Sequence, residues 1–483
     1  MKYLFGFLAW SALACVAAAA PHHWTKQIRA DDGRTAVVEA GRLLVPESRA
    51  RASRRQVTLP WYRLKSTSPH PAAPIFLLAG GPGSSWLDLV EHAENFREVM
   101  FYRSIADVVL FDQRGGGHAL PAMHCPQSTP LRVDRPLDLG GIRSSLRRMA
   151  RTCRDHWLAA GADLAAYNTQ ENAEDLDDLR KALGYERISL VGGSYGSHLA
   201  LAYLRRHANR VDRVALYGVE GPDQTWDDPA GVLAALGRIA RHAQQSPALA
   251  PDIPEGGLLA SLQRTLDRLH AHPAIVALPG PRGPVPVVVD DGWVRLMLRH
   301  DAGRRSRPNA WPDWIIAMDH GDYRQVARFI LAHRSLRLQD PMHYTMDCSA
   351  GITPSRRQRY DASAARRLLG DVNREYADLC DVWPIDPGTR DRGPVHARVP
   401  VVIFQGTWDT STPLENAREV AATLPNARLV EVVGGTHGAL YNLYAHWPPM
   451  WARMRAFLSG KTDAFPSTVD LPRVSYRRFG PTP

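Results

Sequence analysis

Residues 187–207 read RISLVGGSYGSHLALAYLRRH, and this stretch decides the fold. The first five form a short apolar run suited to a strand buried on both faces, and after Ser197 apolar residues return at helical spacing. Between them lies Gly192-Gly193-Ser194-Tyr195-Gly196, a Gly-x-Ser-x-Gly pattern in strand–turn–helix context. The glycines have a steric role. A tight turn lifts the serine into a strained backbone conformation, and side chains beside it would collide with the adjoining strand and helix. The hydroxyl then stands near a helix N-terminus, which favours developing negative charge. Ser194 is the candidate nucleophile.

A nucleophilic serine needs a base, and the base needs an orienting acid. With this turn the chain order is Ser, then Asp, then His, the last two following late strands. Asp409 lies in Gln405-Gly406-Thr407-Trp408-Asp409, just past the apolar run VPVVIF at 399–404. His437 lies in Gly434-Gly435-Thr436-His437-Gly438, just past ARLVEVV at 427–433. Any one of nineteen histidines is ordinarily a surface or core residue. Position and order single out His437. A further glycine-rich turn, Gly80-Gly81-Pro82-Gly83-Ser84, follows the run APIFLLA at 73–79. Its backbone can approach a reacting carbonyl oxygen; Pro82 has no N–H, so Gly81 is the expected oxyanion donor, paired with the N–H of Tyr195. A phosphate-cradling loop would need Gly-Lys-Ser/Thr downstream, and that is missing.

Working outward, 37–220 reads as strands alternating with helices, with buried-strand runs at 73–79, 106–111, 187–191 and 212–217 and helical spacing at 84–100, 142–159 and 171–183. From Pro222 to about Val399 the alternation stops. Helical stretches at 258–270, 314–318 and 322–333 and a proline-rich, β-prone piece at 279–289 take its place. Strand character then resumes, followed by a helix at 440–458. The predicted organisation is a leader (1–20), a sheet domain in two parts (21–221 and 399–460), a cap inserted at 222–398, and a C-terminal tail (461–483) packed irregularly on the surface.

The 483 residues are 45% hydrophobic and 22% charged, which excludes a disordered chain. The formal charge of +10 raises the question of nucleic acid, but Arg is spread along the chain and interleaved with Asp and Glu rather than gathered in a stripe. No nucleic-acid partner is expected. Residues 1–20, MKYLFGFLAWSALACVAAAA, have a basic start, an apolar stretch and small residues for cleavage, the pattern of a secretory signal. A lipid anchor at Cys15 is the alternative, although Ala12 and Leu13 fit the usual lipobox order poorly. No later segment approaches eighteen uninterrupted apolar residues, so no membrane association is expected of the mature chain. Four cysteines remain: Cys125, Cys153, Cys348 and Cys380. Export favours two disulfides; of three connectivities, Cys125–Cys153 with Cys348–Cys380 closes the shortest loops. Zinc and free thiols are the competing readings, zinc being disfavoured because no two cysteines lie two to four residues apart.

The chain resembles the α/β-hydrolase-fold serine aminopeptidases related to proline iminopeptidase, and most closely the secreted tripeptidyl-aminopeptidase-like branch. The resemblance is carried by GGPGSS at 80–85, Asp112-Gln113-Arg114-Gly115, Tyr167-Asn168-Thr169 with Ala173-Glu174-Asp175-Leu176, and GGSYGS at 192–197. The settings of Asp409, with Thr412-Pro413 behind it, and of His437 add to it, as do Cys348 and Cys380-Asp381-Val382-Trp383-Pro384. It spans about residues 35–460. One departure is Ala79, where many relatives carry His, which leaves the buttress of the oxyanion loop open. Asp112 and Arg114 are expected to pin that loop as a charged pair.

The resemblance implies a mostly parallel sheet flanked by helices, with a large, mainly helical cap inserted after strand 6. It implies hydrolysis of peptides from the N-terminus, with no metal or organic cofactor. Such an enzyme must bind a free α-ammonium group, for which a carboxylate is suited. Glu220, after the run DRVALY, is the preferred candidate and Asp347 of the cap a weaker one. An esterase acting on small acyl esters, and a catalytically silent binding module on the same fold, are the rival expectations. The sequence sets no oligomeric state.

Overall fold

The computed structural model describes residues 22–51, 54–301, 310–385, 391–461 and 464–476, so the expected leader and Cys15 lie outside the described residues. Ten strands form one sheet: β1 (His22–Arg29), β2 (Thr35–Pro46), β3 (Gln56–Leu64), β4 (Ile75–Leu78), β5 (Val108–Phe111), β6 (Ile188–Ser194), β7 (Val211–Val219), β8 (Val401–Gly406), β9 (Ala427–Val433) and β10 (Thr468–Asp470). Their order is β1-β2-β3-β5-β4-β6-β7-β8-β9-β10. The pairings β1–β2, β2–β3 and β3–β5 are antiparallel and the rest parallel. The fold is that of the α/β hydrolases, with a mostly parallel sheet between helical layers.

The central strands β4, β5 and β8 are buried along their whole length, as continuous apolar runs require. Alternate residues feed opposite cores: Phe76, Val109 and Leu190 pack on one face, Ile75, Leu77, Val108 and Val191 on the other. The N-terminal hairpin strands went unread in the sequence because β1 is mostly exposed and β2 alternates buried and exposed residues, neither with a long apolar run. Gly41 lies opposite Trp61 across that pairing, and a β-carbon there would stand 2.2 Å from the buried indole. Seven strands of the sheet precede the insertion, one more than the six expected, since this hairpin extends the antiparallel edge. The helix expected at 440–458 is two, Ala439–His446 and Pro449–Leu458, interrupted at Pro448, which has no N–H to continue the ladder. The tail is not wholly irregular, for β10 pairs in parallel with β9.

The inserted segment has its own core, with Trp293, Trp311, Trp314 and Leu262 fully buried, and the proline-rich piece forms the hairpin Ala274–Leu278 with Val285–Val289. An excursion between β5 and β6 leans on it. There, strand Ser128–Pro130 pairs with Ser335–Arg337, and helix Leu139–Ala159 packs against Arg374–Leu379, with Arg147 bound to Asp381 at 2.6 Å. Disulfides Cys125–Cys153 and Cys348–Cys380 close each of these pieces locally.

Candidate active site

Strand β6 ends in the turn that carries Ser194, whose φ of 55° and ψ of −132° make it the non-glycine residue with positive φ among those described. Such a backbone is strained and persists only where the surroundings over-determine it. They do so here. A β-carbon at Gly192 would stand 2.4 Å from the Gly196 carbonyl oxygen, at Gly193 2.1 Å from the Tyr217 ring, and at Gly196 2.2 Å from the Leu78 carbonyl oxygen. Helix Tyr195–His207 starts at once, and Ser197, fully buried in its first turn, donates from Oγ to the Ser194 carbonyl at 2.6 Å. The same Oγ accepts the Glu220 N–H at 2.9 Å, tying the end of β7 to the serine turn.

Asp409 follows β8 and is fully buried. Its oxygens accept N–H bonds from Ser411 and Thr412 at 2.9 Å, and Thr412 Oγ1–H and the Gln405 amide at 2.8 Å. His437 Nδ1 lies 3.0 Å from Asp409 Oδ2 and 3.2 Å from Oδ1. Burial pushes the Asp409 carboxyl up, but the charge and hydrogen bonds of His437 and Thr412 outweigh it and hold the pKa below the ordinary value. Burial works against imidazolium in the same way. The Asp409 charge outweighs it, with Asp227 adding, so His437 lies above its ordinary pKa. The imidazole rests against β7, where a β-carbon at Gly218 would stand 2.9 Å from its Cε1 and Nδ1. Ser194 pairs with Val219 of that strand, so the serine and the imidazole both lie at its C-terminal end. Among the described residues none hydrogen-bonds Ser194 Oγ.

The loop after β4 runs beside the serine, with the Gly80 position 3.2 Å from Ser194 Cβ, measured from a β-carbon built there. Gly81 and Gly83 have φ of 114° and 91°, open to glycine at no steric cost. The buttress is Gln113. Its amide donates to the Ala79 carbonyl at 2.8 Å and its oxygen accepts the Gly83 N–H at 3.3 Å. Asp112 holds the next turn through Ser85 Oγ, at 2.9 Å, and does not pair with Arg114 as expected. Arg114 is fully buried elsewhere, bidentate to Asp175 at 2.7 Å on both oxygens, where it ties the β5 loop to helix Thr169–Ala182.

Beyond the serine lie three carboxylates, Glu220, Asp347 and Asp227, near enough for their charges to act on one another. Glu220 is 13% exposed, and its Oε1 is buried without a hydrogen bond. Burial first, then the charges of Asp347 and Asp227, push it well above the ordinary range. His198 comes within 3.8 Å, but this is no ion pair: burial lowers the imidazole to about 4, and its Nδ1 contacts the Gly221 carbonyl at 3.1 Å. Asp347 is pushed up to about 6, again by burial, and accepts the Tyr376 hydroxyl at 2.8 Å. Asp227 is raised by burial and by the nearness of Asp409; Asn373 clamps its backbone with bonds of 2.8 and 2.9 Å.

Two family matches agree with this architecture. Residues 73–255 match the family described as alpha/beta hydrolase fold, and residues 367–446 match TAP-like protein. The fold is that of the α/β hydrolases, and the chain is a hydrolase. Tripeptidyl aminopeptidase of Streptomyces lividans is 24% identical to this hydrolase over 464 residues, 88% of this chain and 82% of the relative. Proline iminopeptidase of Xylella fastidiosa is 31% identical over 152 residues, 32% of this chain and 34% of the relative. The solved structure of Mycobacterium smegmatis proline iminopeptidase covers 86% of the hydrolase and 97% of its own chain, at 16% identity and a TM-score of 0.42.

In this hydrolase Ser194, Asp409, His437 and the Gly81 loop come to one edge of the sheet, and Glu220 stands beside them. Sequence reasoning did not single out Asp227, Ser197, Tyr376 or Gln113 for these places. Ser197 and Gln113 carried a signal, since each lies within a motif already quoted. Asp227 and Tyr376 sit in cap segments whose register nothing local announces.

Proposed function

We propose that this α/β hydrolase is an exported serine aminopeptidase. Ser194 Oγ attacks the scissile carbonyl while His437 removes its proton, and Asp409 fixes the tautomer and stabilises the imidazolium. The N–H groups of Gly81 and Tyr195 receive the oxyanion, a contribution of about 3 kcal/mol per donor in comparable sites. His437 returns the proton to the leaving amine, and water then cleaves the acyl-enzyme with His437 again as base. No metal or organic cofactor enters these steps. Peptides with a free N-terminus are the proposed substrates.

The observation that carries the aminopeptidase reading is Glu220, with a buried, unpartnered carboxylate oxygen one hydroxyl away from the serine turn. A buried acceptor of this kind suits an ammonium group, and Asp347, which accepts the Tyr376 hydroxyl, adds a second negative charge nearby. The relatives named aminopeptidases support the same reading. Two disulfides suit an oxidising compartment, and among the described residues no helix is long and apolar enough to cross a membrane.

Aminoacyl coumarin amides with free and acetylated amines, run against p-nitrophenyl esters, test this reading. Free-amine amides are expected to turn over and acetylated ones to fail. Ester turnover with no amide cleavage refutes the peptidase. A fluorophosphonate probe is expected to label the protein and to lose its target in Ser194→Ala; persistent hydrolysis by that variant refutes the mechanism.

A further inference from the structure

The cap helix Pro341–Ala350 presents three pairs of residues four apart, hence three faces. Tyr344 and Cys348 face the later part of the cap: Tyr344 stacks on Trp383 at 5.4 Å, and Cys348 is bonded to Cys380. His343 and Asp347 face Tyr376 and the carboxylate cluster. Met342 and Met346, 1% and 0% exposed, face the catalytic loops.

Met342 fills a slot made of glycines from two loops. A β-carbon at Gly83 of the oxyanion loop would stand 2.9 Å from Met342 Sδ, and one at Gly116 of the β5 loop 3.0 Å from it. Gly116 in turn lies so near Gly83 that a β-carbon there would meet Gly83 Cα at 2.7 Å. The two loops thus touch backbone to backbone, with the thioether closing the gap. One helical turn on, Met346 Sδ accepts the Tyr195 hydroxyl at 2.8 Å, and Asn172 Nδ2 approaches it at 3.4 Å. Gly81 and Tyr195 stand within two residues and at zero residues, respectively, of these contacts.

We propose that Met342 and Met346 are positioning residues that key the cap onto the oxyanion loop, so that catalysis requires helix Pro341–Ala350 to be seated. The inference rests on the oxyanion roles given above to Gly81 and Tyr195. Methionine suits an irregular slot of this kind, being unbranched and polarisable. Close-packed loops do not deform gradually, so an empty slot leaves the donors misaimed rather than slightly loosened. Asp347 rides on the same helix, next to Met346.

The test is the rate of turnover per active site, with sites counted by fluorophosphonate titration. Met342→Ala is expected to lower kcat at least about tenfold with KM nearly unchanged, since donor alignment acts only on the transition state. Met342→Leu, which refills the slot, is expected to stay within about threefold of wild type. A residue that merely stabilises the fold would lower the melting temperature and the number of titratable sites, leaving kcat per site alone. Unchanged kcat per site in Met342→Ala, or a rise in KM alone, overturns the proposal. If that variant does not fold, Met342→Val and Met346→Leu carry the same comparison. Ester substrates separate the two readings: they use the same oxyanion loop, so the kcat loss is expected on esters even if free-amine amides prove not to be substrates.

Discussion

Replacing Asp347 by Asn removes a charge and keeps the shape, and the structure sets what should follow. The carboxyl is 4% exposed as a residue, accepts the Tyr376 hydroxyl at 2.8 Å, and is pushed by burial to about 6. An ammonium binds its ionised form. A group with that pKa is ionised to about nine-tenths at pH 7 and about one-tenth at pH 5, so KM for a free-amine substrate should rise about tenfold between them. A charge-assisted hydrogen bond contributes about 1.5–3 kcal/mol, so Asp347→Asn should raise KM at pH 7 by about 10- to 150-fold. The sign of the linkage to stability is opposite to the common case. The folded carboxyl holds its proton more tightly than the ordinary value of 3.8, so the free protein loses stability as pH rises from about 4 to about 6. An amine ligand should offset that loss.

Steady-state kinetics across about pH 4.5–8 would separate the groups. His437 must be neutral to act as base, and its pKa lies above the ordinary value, so it gives kcat an acid limb that rises with pH. Asp347 instead acts on KM. In Asp347→Asn the kcat limb should remain while the KM dependence flattens. An ester without an α-amine should show the His437 limb alone in both proteins. If Asp347→Asn keeps wild-type KM and the same pH dependence, Asp347 does not read the amine.

Three further outcomes are expected. Cys348→Ser with Cys380→Ser opens a 32-residue loop and should cost about 3–4 kcal/mol in urea unfolding, with KM rising more than kcat falls because the bridge anchors the helix of Asp347. Arg114→Met breaks a buried bidentate pair with Asp175 and should cost about 3–5 kcal/mol by the same assay, whereas an unchanged midpoint would show that Arg49 alone satisfies that carboxylate. Ser197→Ala leaves the buried Glu220 N–H without its acceptor and frees the Ser194 carbonyl, at about 1–3 kcal/mol, and should lower both kcat and the rate of fluorophosphonate labelling.

The sheet was legible wherever a strand is buried on both faces, because such a strand must be a continuous apolar run. VPVVIF and RISLV announce themselves, and the turns behind them are fixed by glycines that tolerate no β-carbon. Strand β2 was not legible in the same way, since a half-exposed strand spreads its apolar residues among polar ones. The Asp112–Arg114 expectation failed for a different reason. Both residues lie past the last strand residue, Phe111, in a turn where the two-residue period of a strand no longer sets direction, so Asp112 serves the oxyanion loop and Arg114 the helix beneath.

The cap sets the limit of what a linear reading reaches, and the reason is physical. Around the serine, function and fold make the same demand: a glycine needed for the turn is also needed for the chemistry, so one local pattern reports both. In the cap, Asp347 is only a carboxylate in a helix until Tyr376, twenty-nine residues on, hydrogen-bonds it and burial raises its proton affinity. Nothing in Pro341–Ala350 distinguishes the face that bears Asp347 from the face that bears Met342. Only the glycine slot in two distant loops does so. Specificity in this hydrolase is thus carried by pairings between segments, each ordinary alone, and a substitution on either partner should be felt at the other; the Met342 series and the Asp347→Asn profile probe two faces of one helix for that coupling.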